Sequence, residues 1–137
     1  QRNIMTDVMS QVLLVQRLTA CCKGKSLPLK IVQLDSGAAY RPICGWSLYC
    51  AAKAYMSMFL KTLHAEKEAQ VVLYDPGVVD TDMQRQIRTS TQENFPDVEL
   101  FRKYHMDGRL KNPAAVAREI YERYITDWPS EGEGWNS

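Results

Sequence analysis

Ser36, Tyr49 and Lys53 are the residues of this 137-residue chain whose types and spacing suit acid–base chemistry. Tyr49 and Lys53 stand four apart (53 − 49 = 4) inside the apolar run LYCAAKAYM. On a helix they share one face, one turn from each other. A free phenol titrates near pKa ~10, and an ammonium beside it favours the phenolate and lowers that value. Ser36, thirteen positions before Tyr49 (49 − 36 = 13), would bring a hydroxyl from a separate loop to hydrogen-bond a carbonyl oxygen. Together the three can protonate a carbonyl while hydride arrives from elsewhere. Taken alone, Tyr-x-x-x-Lys more often marks an ordinary amphipathic helix with a core tyrosine and a solvated lysine.

The elements around these residues sharpen the reading. The run IVQLD leads directly into Ser36, and residues 30–35 read as a short strand apolar on both faces, as in a parallel sheet covered by helices. Ser47 is a candidate N-cap, and residues 48–66 read as the helix carrying Tyr49 and Lys53, with Ala51, Ala52, Ala54, Tyr55, Met58, Phe59 and Leu63 on its apolar faces. Residues 70–74 read as a second strand. It ends at Asp75-Pro76-Gly77-Val78-Val79-Asp80-Thr81, where Pro76 presets the backbone and Gly77 permits close approach. Upstream, residues 3–22 read as a helix whose apolar surface is wider than one core stripe. Asn3 would serve as its N-cap. Downstream, residues 82–91 and 97–107 read as short helices, and Gly108 as a C-terminal stop. Asn112-Pro113 reads as the start of a helix to about residue 126, with Val116, Ile120 and Tyr124 on one face.

Strand to serine loop, Tyr/Lys helix, strand to Pro-Gly-x-x-x-Thr resembles the C-terminal half of a short-chain dehydrogenase/reductase. GWSLYCAAKA and YDPGVVDTDMQ are most similar to the sepiapterin reductase and benzil reductase branch, and the resemblance covers about residues 3 to 126. It implies an α/β fold, the second half of a Rossmann-type doubly wound parallel sheet, and residues 1–137 as a single partial domain. It implies Ser36, Tyr49 and Lys53 as catalytic residues, with Asn3 supporting a proton relay to the lysine. Tyr49, Lys53, Pro76, Gly77, Val79 and Thr81 would hold the nicotinamide cofactor NADPH. Ser36, Ala38, Trp46, Tyr49 and Met83 would face the substrate, with Gln84 and Phe101 as further candidates from the covering segment. Packing is the commoner fate of Trp46; an aromatic wall for a flat substrate is the functional one. The helices 3–22 and 48–66 would pair with those of a second copy in a homodimer.

The chain departs from the family pattern at three places. Asp35 stands where a small hydroxyl residue usually precedes the serine, and a carboxylate there would raise a neighbouring tyrosine's pKa. Strand alternation would turn its side chain to the face opposite Ser36, to meet backbone elsewhere. Asp75 replaces a small or amide residue. The tail DWPSEGEGWNS reads as a loop, without the final strand and aspartate that anchor a pterin.

A hydrophobic fraction of 45% fits one globular unit with a real core, and a net charge of +1 offers no field for nucleic acid or acidic membranes. No apolar run is long enough for a membrane span. The four cysteines form no CxxC pair and there are two histidines, so no metal site is expected; free thiols suit a reducing, cytoplasmic setting. The seven glycines, at 24, 37, 45, 77, 108, 132 and 134, build no phosphate-binding loop. The family carries that loop in an N-terminal half, so these residues read as the second half of a larger domain. The leading reading is an NADPH-dependent reductase of a ketone or dicarbonyl, a pterin side chain or an aromatic diketone. The alternative is a truncated or non-catalytic dimerising fragment.

Overall fold

The computed structural model describes residues 5–129. A π-helical turn, Met5–Met9, runs into helix α1, Ser10–Gly24. Strand β1, Lys30–Leu34, leads to a 3-10 turn, Gly37–Ala39, and then to helix α2, Ser47–Ala65. Strand β2 is Gln70–Tyr74. Three helices follow: α3, Asp82–Arg88; α4, Val98–Met106; and α5, Pro113–Ile120, which continues as a π turn, Tyr121–Ile125.

The two strands pair in parallel, Lys30 with Gln70 through Leu34 with Tyr74, so the α2 connection crosses over as a βαβ unit. Alternation along β2 sorts its side chains to opposite faces. Val71 and Leu73 join Val8, Val12 and Val15 of the first helix and Ala52, Met56 and Leu60 of α2 in one core. Val72 and Tyr74 join Val116 and Tyr124 on the other side. The result is helix, sheet and helix in three layers. The described residues therefore form an α/β unit of the kind a parallel sheet requires.

Three expectations need correction. β1 is not apolar-covered on both faces: Ile31 and Val32 are half-buried and Leu34 is exposed, because among the described residues β1 pairs with β2 alone. Ser47 is the first helical residue rather than the cap. Trp46 occupies the cap position without a side-chain bond, since Gly45 at φ +82° turns the chain one residue earlier. The third helix stops at Arg88, short of residue 91. The expected signals at the far end hold. Gly108, at φ +64°, ends α4, and Asn112 caps α5 by accepting from the Ala114 amide at 2.8 Å.

Candidate active site

β1 and β2 end side by side, and their C-terminal ends carry the candidate chemistry. Ser36 follows β1, its backbone extended, and its hydroxyl oxygen accepts from the Ala38 amide at 3.2 Å. Tyr49 and Lys53 project from the first two turns of α2 over the same end. The Lys53 ammonium lies 5.8 Å from the centre of the Tyr49 ring and donates to the Leu34 carbonyl at 2.7 Å. One of its three hydrogens is thereby fixed. The Ser36 hydroxyl is near enough to Tyr49 to pull its pKa down by hydrogen bonding. The structure thus brings Ser36, Tyr49 and Lys53 together from a loop and a helix, as the spacing predicts.

The electrostatics differ from expectation. Burial, the largest influence, raises Tyr49 above the ordinary phenol value; the nearby Ser36 hydroxyl opposes it, and the carboxylates of Asp75 and Asp35 add to the rise. The expected lowering by Lys53 is not found. Lys53 is itself pushed down by burial, against the pull of Asp35, Asp7 and Asp75, and its hydrogen is aimed at a carbonyl rather than at the phenol oxygen. The anticipated effect of Asp35 on the tyrosine is present. Its partner differs from expectation: the buried Asp35 carboxylate meets a side chain, accepting from the Tyr40 hydroxyl at 2.6 Å.

The loop after β2 forms the other wall. The exposed Asp75 carboxylate accepts from the Gly77 amide at 2.7 Å, an Asx turn that leads into Gly77 at φ +71°. A Cβ on Gly77 would meet nothing within 4 Å, so its positive φ rather than crowding calls for glycine. Val79 forms a single parallel bridge with Lys111, through the Lys111 amide to the Val78 carbonyl and the Asp80 amide to the Lys111 carbonyl, each 2.9 Å. In such a bridge Val79's own N–H and C=O point away from Lys111. They make no backbone bond among the described residues and suit a planar amide of a ligand. The Thr81 hydroxyl oxygen caps α3, accepting from the Gln84 amide at 3.4 Å, which leaves its proton to donate. These groups, with Lys53, fit the nicotinamide end of a dinucleotide.

Of the expected substrate-facing residues, Trp46 stands beside Tyr49, rings edge to face at 5.2 Å, and is stacked on Phe95 at 5.0 Å. Phe101 completes this cluster. Ala38 is buried inside the serine turn and Met83 is exposed on α3. Gln84 is buried, its carbonyl oxygen accepting from Arg88 and its amide nitrogen without a partner. Asn3 lies outside the described residues. Tyr40, Ser57 and Phe95 were not singled out by sequence. Ser57 could have been, since it continues the line of Tyr49 and Lys53 by one more turn (57 − 53 = 4). Away from the site, Lys30, Val32 and Leu34 with Ile120, Tyr124 and Trp128 line a groove of about 490 Å³ against β1.

Among the described residues no group of acidic, histidine or cysteine side chains is placed to hold a metal, and no helix is long and apolar enough to cross a membrane.

Residues 1–92 match the short chain dehydrogenase family. The chain is 37% identical over 122 residues to a benzil reductase ((S)-benzoin forming) of Bacillus subtilis (strain 168), covering 85% of this chain and 50% of that protein. It is 41% identical over 82 residues to the sepiapterin reductase of Bos taurus, covering 59% of this chain and 30% of that one. The crystal structure of the KRED1-Pglu enzyme matches with a TM-score of 0.78 at 27% identity, over 90% of this chain and 52% of that one. The chain thus spans about half the length of the benzil reductase and of this solved structure.

Proposed function

The chain belongs to the short-chain dehydrogenase family, and from that membership we propose that it is the catalytic half of an NADPH-dependent reductase of small carbonyl compounds. The observation that carries this reading is the meeting of Ser36, Tyr49 and Lys53 at the C-terminal ends of β1 and β2. Tyr49, held protonated by burial, is the proton donor to the carbonyl oxygen. Ser36 polarises the same oxygen as a fixed donor. The two remaining hydrogens of Lys53 hold the nicotinamide ribose, and Val79 and Thr81 orient the carboxamide. When bound, the cofactor supplies the hydride. Trp46, backed by Phe95, is an aromatic wall beside Tyr49 and favours an aromatic diketone such as benzil over a pterin ketone. The four free cysteines support a cytoplasmic setting.

Turnover of benzil with NADPH by the natural protein carrying these residues tests the reading. Tyr49→Phe keeps the ring and should lower turnover by roughly 10² to 10⁴-fold, the usual worth of a general acid. Turnover within a few-fold of the parent overturns it.

A second reading, a non-catalytic dimerising module, is favoured by the exposed Leu13, Leu14 and Leu18 on α1 and Tyr55 and Met58 on α2. The same surfaces support a homodimer through these two helices under either reading. Cofactor fluorescence during NADPH titration of the natural protein separates the two: enhanced emission supports the reductase, none supports the module.

A further inference from the structure

Ser36 begins a turn that Tyr40 ends. Inside it the Ala39 amide donates to the Ser36 carbonyl at 2.8 Å, and the amides of Tyr40 and Arg41 donate to the Gly37 carbonyl at 3.1 Å each. The start of the turn is tied to the sheet, since the Asp35 amide donates to the Tyr74 carbonyl at 2.8 Å. The end is tied chiefly by the Tyr40 hydroxyl, beside a long contact of 4.0 Å from the Cys50 thiol to the Arg41 carbonyl. Tyr40 is 52% exposed, yet its hydroxyl reaches inward, donating to Asp35 Oδ2 at 2.6 Å and lying 3.1 Å from Ser57 Oγ. Tyr40 has a single proton and gives it to the carboxylate, so the Ser57 hydroxyl is the donor in the second bond.

Asp35 and Ser57 are 6% and 3% exposed. A buried carboxylate is stable only where donors meet it, so this chain of three residues is tightly constrained. Burial of the hydroxyl, with the carboxylate beside it, keeps the Tyr40 proton in place. Ser57 lies one turn beyond Lys53, and Lys53 one turn beyond Tyr49, so one line of α2 carries all three. Two consecutive residues of the chain, Leu34 and Asp35, are therefore bound to two consecutive turns of that line: Leu34 by Lys53, Asp35 through Tyr40 by Ser57. Ser36 is the next residue.

We propose that the Asp35–Tyr40–Ser57 hydrogen-bond chain is a positioning clamp that holds the Ser36 turn against the Tyr49 and Lys53 line of α2. This deepens the reductase reading and rests on it for the role of Ser36. Tyr40 is a positioning residue: it touches no reacting atom and acts on catalysis through the placement of the Ser36 turn.

Tyr40→Phe is the test, because it keeps the ring and its contact with the Lys61 ammonium, 4.9 Å from the centroid, and removes only the hydroxyl. On the natural protein, amide hydrogen exchange read by NMR should quicken about tenfold at positions 38 to 41, the usual net worth of one buried hydrogen bond. The amides of β2 should be unchanged. An equal rise in β2, or no rise at 38 to 41, overturns the clamp. Asp35→Asn retains an acceptor for the Tyr40 hydroxyl and should leave exchange near the parent, whereas Ser57→Ala should raise it by a smaller factor and serves if Tyr40→Phe does not fold. In the natural protein Tyr40→Phe should lower kcat about tenfold with Ser36 present and by less than about twofold in a Ser36→Ala background. A full tenfold loss in both backgrounds overturns the clamp. Unchanged turnover in both Ser36→Ala and Tyr49→Phe would instead defeat the reductase reading, while the exchange measurement still decides the clamp.

Discussion

The Lys53 ammonium sits 5.8 Å from the centre of the Tyr49 ring while its hydrogen is held by the Leu34 carbonyl. The lysine is thus a fixed neighbour of the phenol rather than its ion-pair partner. The phenol responds instead to burial, to Ser36 and to the two carboxylates that close β1 and β2, Asp35 and Asp75.

Asp75 makes that balance testable. It is exposed, and its carboxylate raises Tyr49 from a distance. Asp75→Asn preserves the acceptor for the Gly77 amide and removes the charge. The Tyr49 titration should move downward, and added salt should mimic the change, because an exposed charge is screened. NMR of carbon-labelled tyrosine on the parent and the variant reads both. An unmoved titration would show that the Asp75 charge does not reach the phenol.

Tyr74 gives the fold a pH limit of its own. Burial first, then the nearby Glu119 carboxylate, pushes it up to about 12, although the two side chains fall short of hydrogen-bond geometry. A free tyrosine ionises near ~10. Below that pH both folded and unfolded chains keep the proton and the contribution to stability is complete. As pH climbs from about 10 to about 12, the unfolded chain loses the proton and the folded chain keeps it, so stability falls. Urea midpoints measured across this window should drop, and Tyr74→Phe should flatten the drop.

Much of this architecture is legible in the residues. The Tyr49/Lys53 spacing, the apolar runs of both strands and the Asn112-Pro113 start each follow from a local period or cap, and each stands where it was expected. What escaped is tertiary. Nothing local says that the Tyr40 hydroxyl turns back to Asp35, or that Phe95, from a polar loop, stacks on Trp46. The direction of the Tyr49 shift escaped for the same reason: spacing puts a lysine within one turn, but only packing decides how dry the phenol is and where the ammonium points. The half-exposed β1 belongs here too, since an apolar strand records the neighbours it suits and not those present.

The join between the serine loop and the covering helices should be brittle. Gly45 combines φ +82° with a close approach: an added Cβ would stand 3.0 Å from the Asn94 carbonyl oxygen and 3.3 Å from the Phe95 ring. Gly45→Ala is therefore strained in backbone and crowded in space, and should destabilise by about 1–3 kcal/mol. Phe95→Ala empties a site that is 4% exposed and should cost roughly 3–5 kcal/mol. Both should release Trp46 from its stacking partner, seen as a red shift of tryptophan emission. Urea unfolding that matches the parent for both variants would show that this join carries no stability.

Cofactor affinity separates the nicotinamide groups from the phosphate groups. The 137 residues carry Lys53, Val79 and Thr81 but no glycine-rich loop whose amides could hold a pyrophosphate. By themselves they should bind NADPH weakly, with a Kd above about 1 mM, since two or three polar contacts rarely offset the cost of association. Calorimetry on a chain of confirmed mass should show no saturation in the micromolar range. Micromolar binding would mean that the β2 loop and α2 grip far more of the cofactor than its nicotinamide end.

The outward faces of α1 and α2 lead to the last prediction. Leu13, Leu14 and Leu18 are 53%, 58% and 41% exposed, and on α2 Leu48, Tyr55 and Met58 are exposed as well. Single exposed apolar residues are ordinary; two neighbouring helices each showing several make a surface that water disfavours and a second copy would cover. A two-fold arrangement uses the same patch on both subunits, so one substitution acts twice in the dimer. Leu14→Lys should therefore shift the natural protein from dimer to monomer in sedimentation velocity at micromolar concentration. Thermal stability of the isolated subunit should hardly change, because Leu14 contributes nothing to the buried core formed by Val8, Val12 and Val15. A parent protein that sediments as a monomer at that concentration would remove the interface, and an undisturbed dimer in Leu14→Lys would place it elsewhere than on α1.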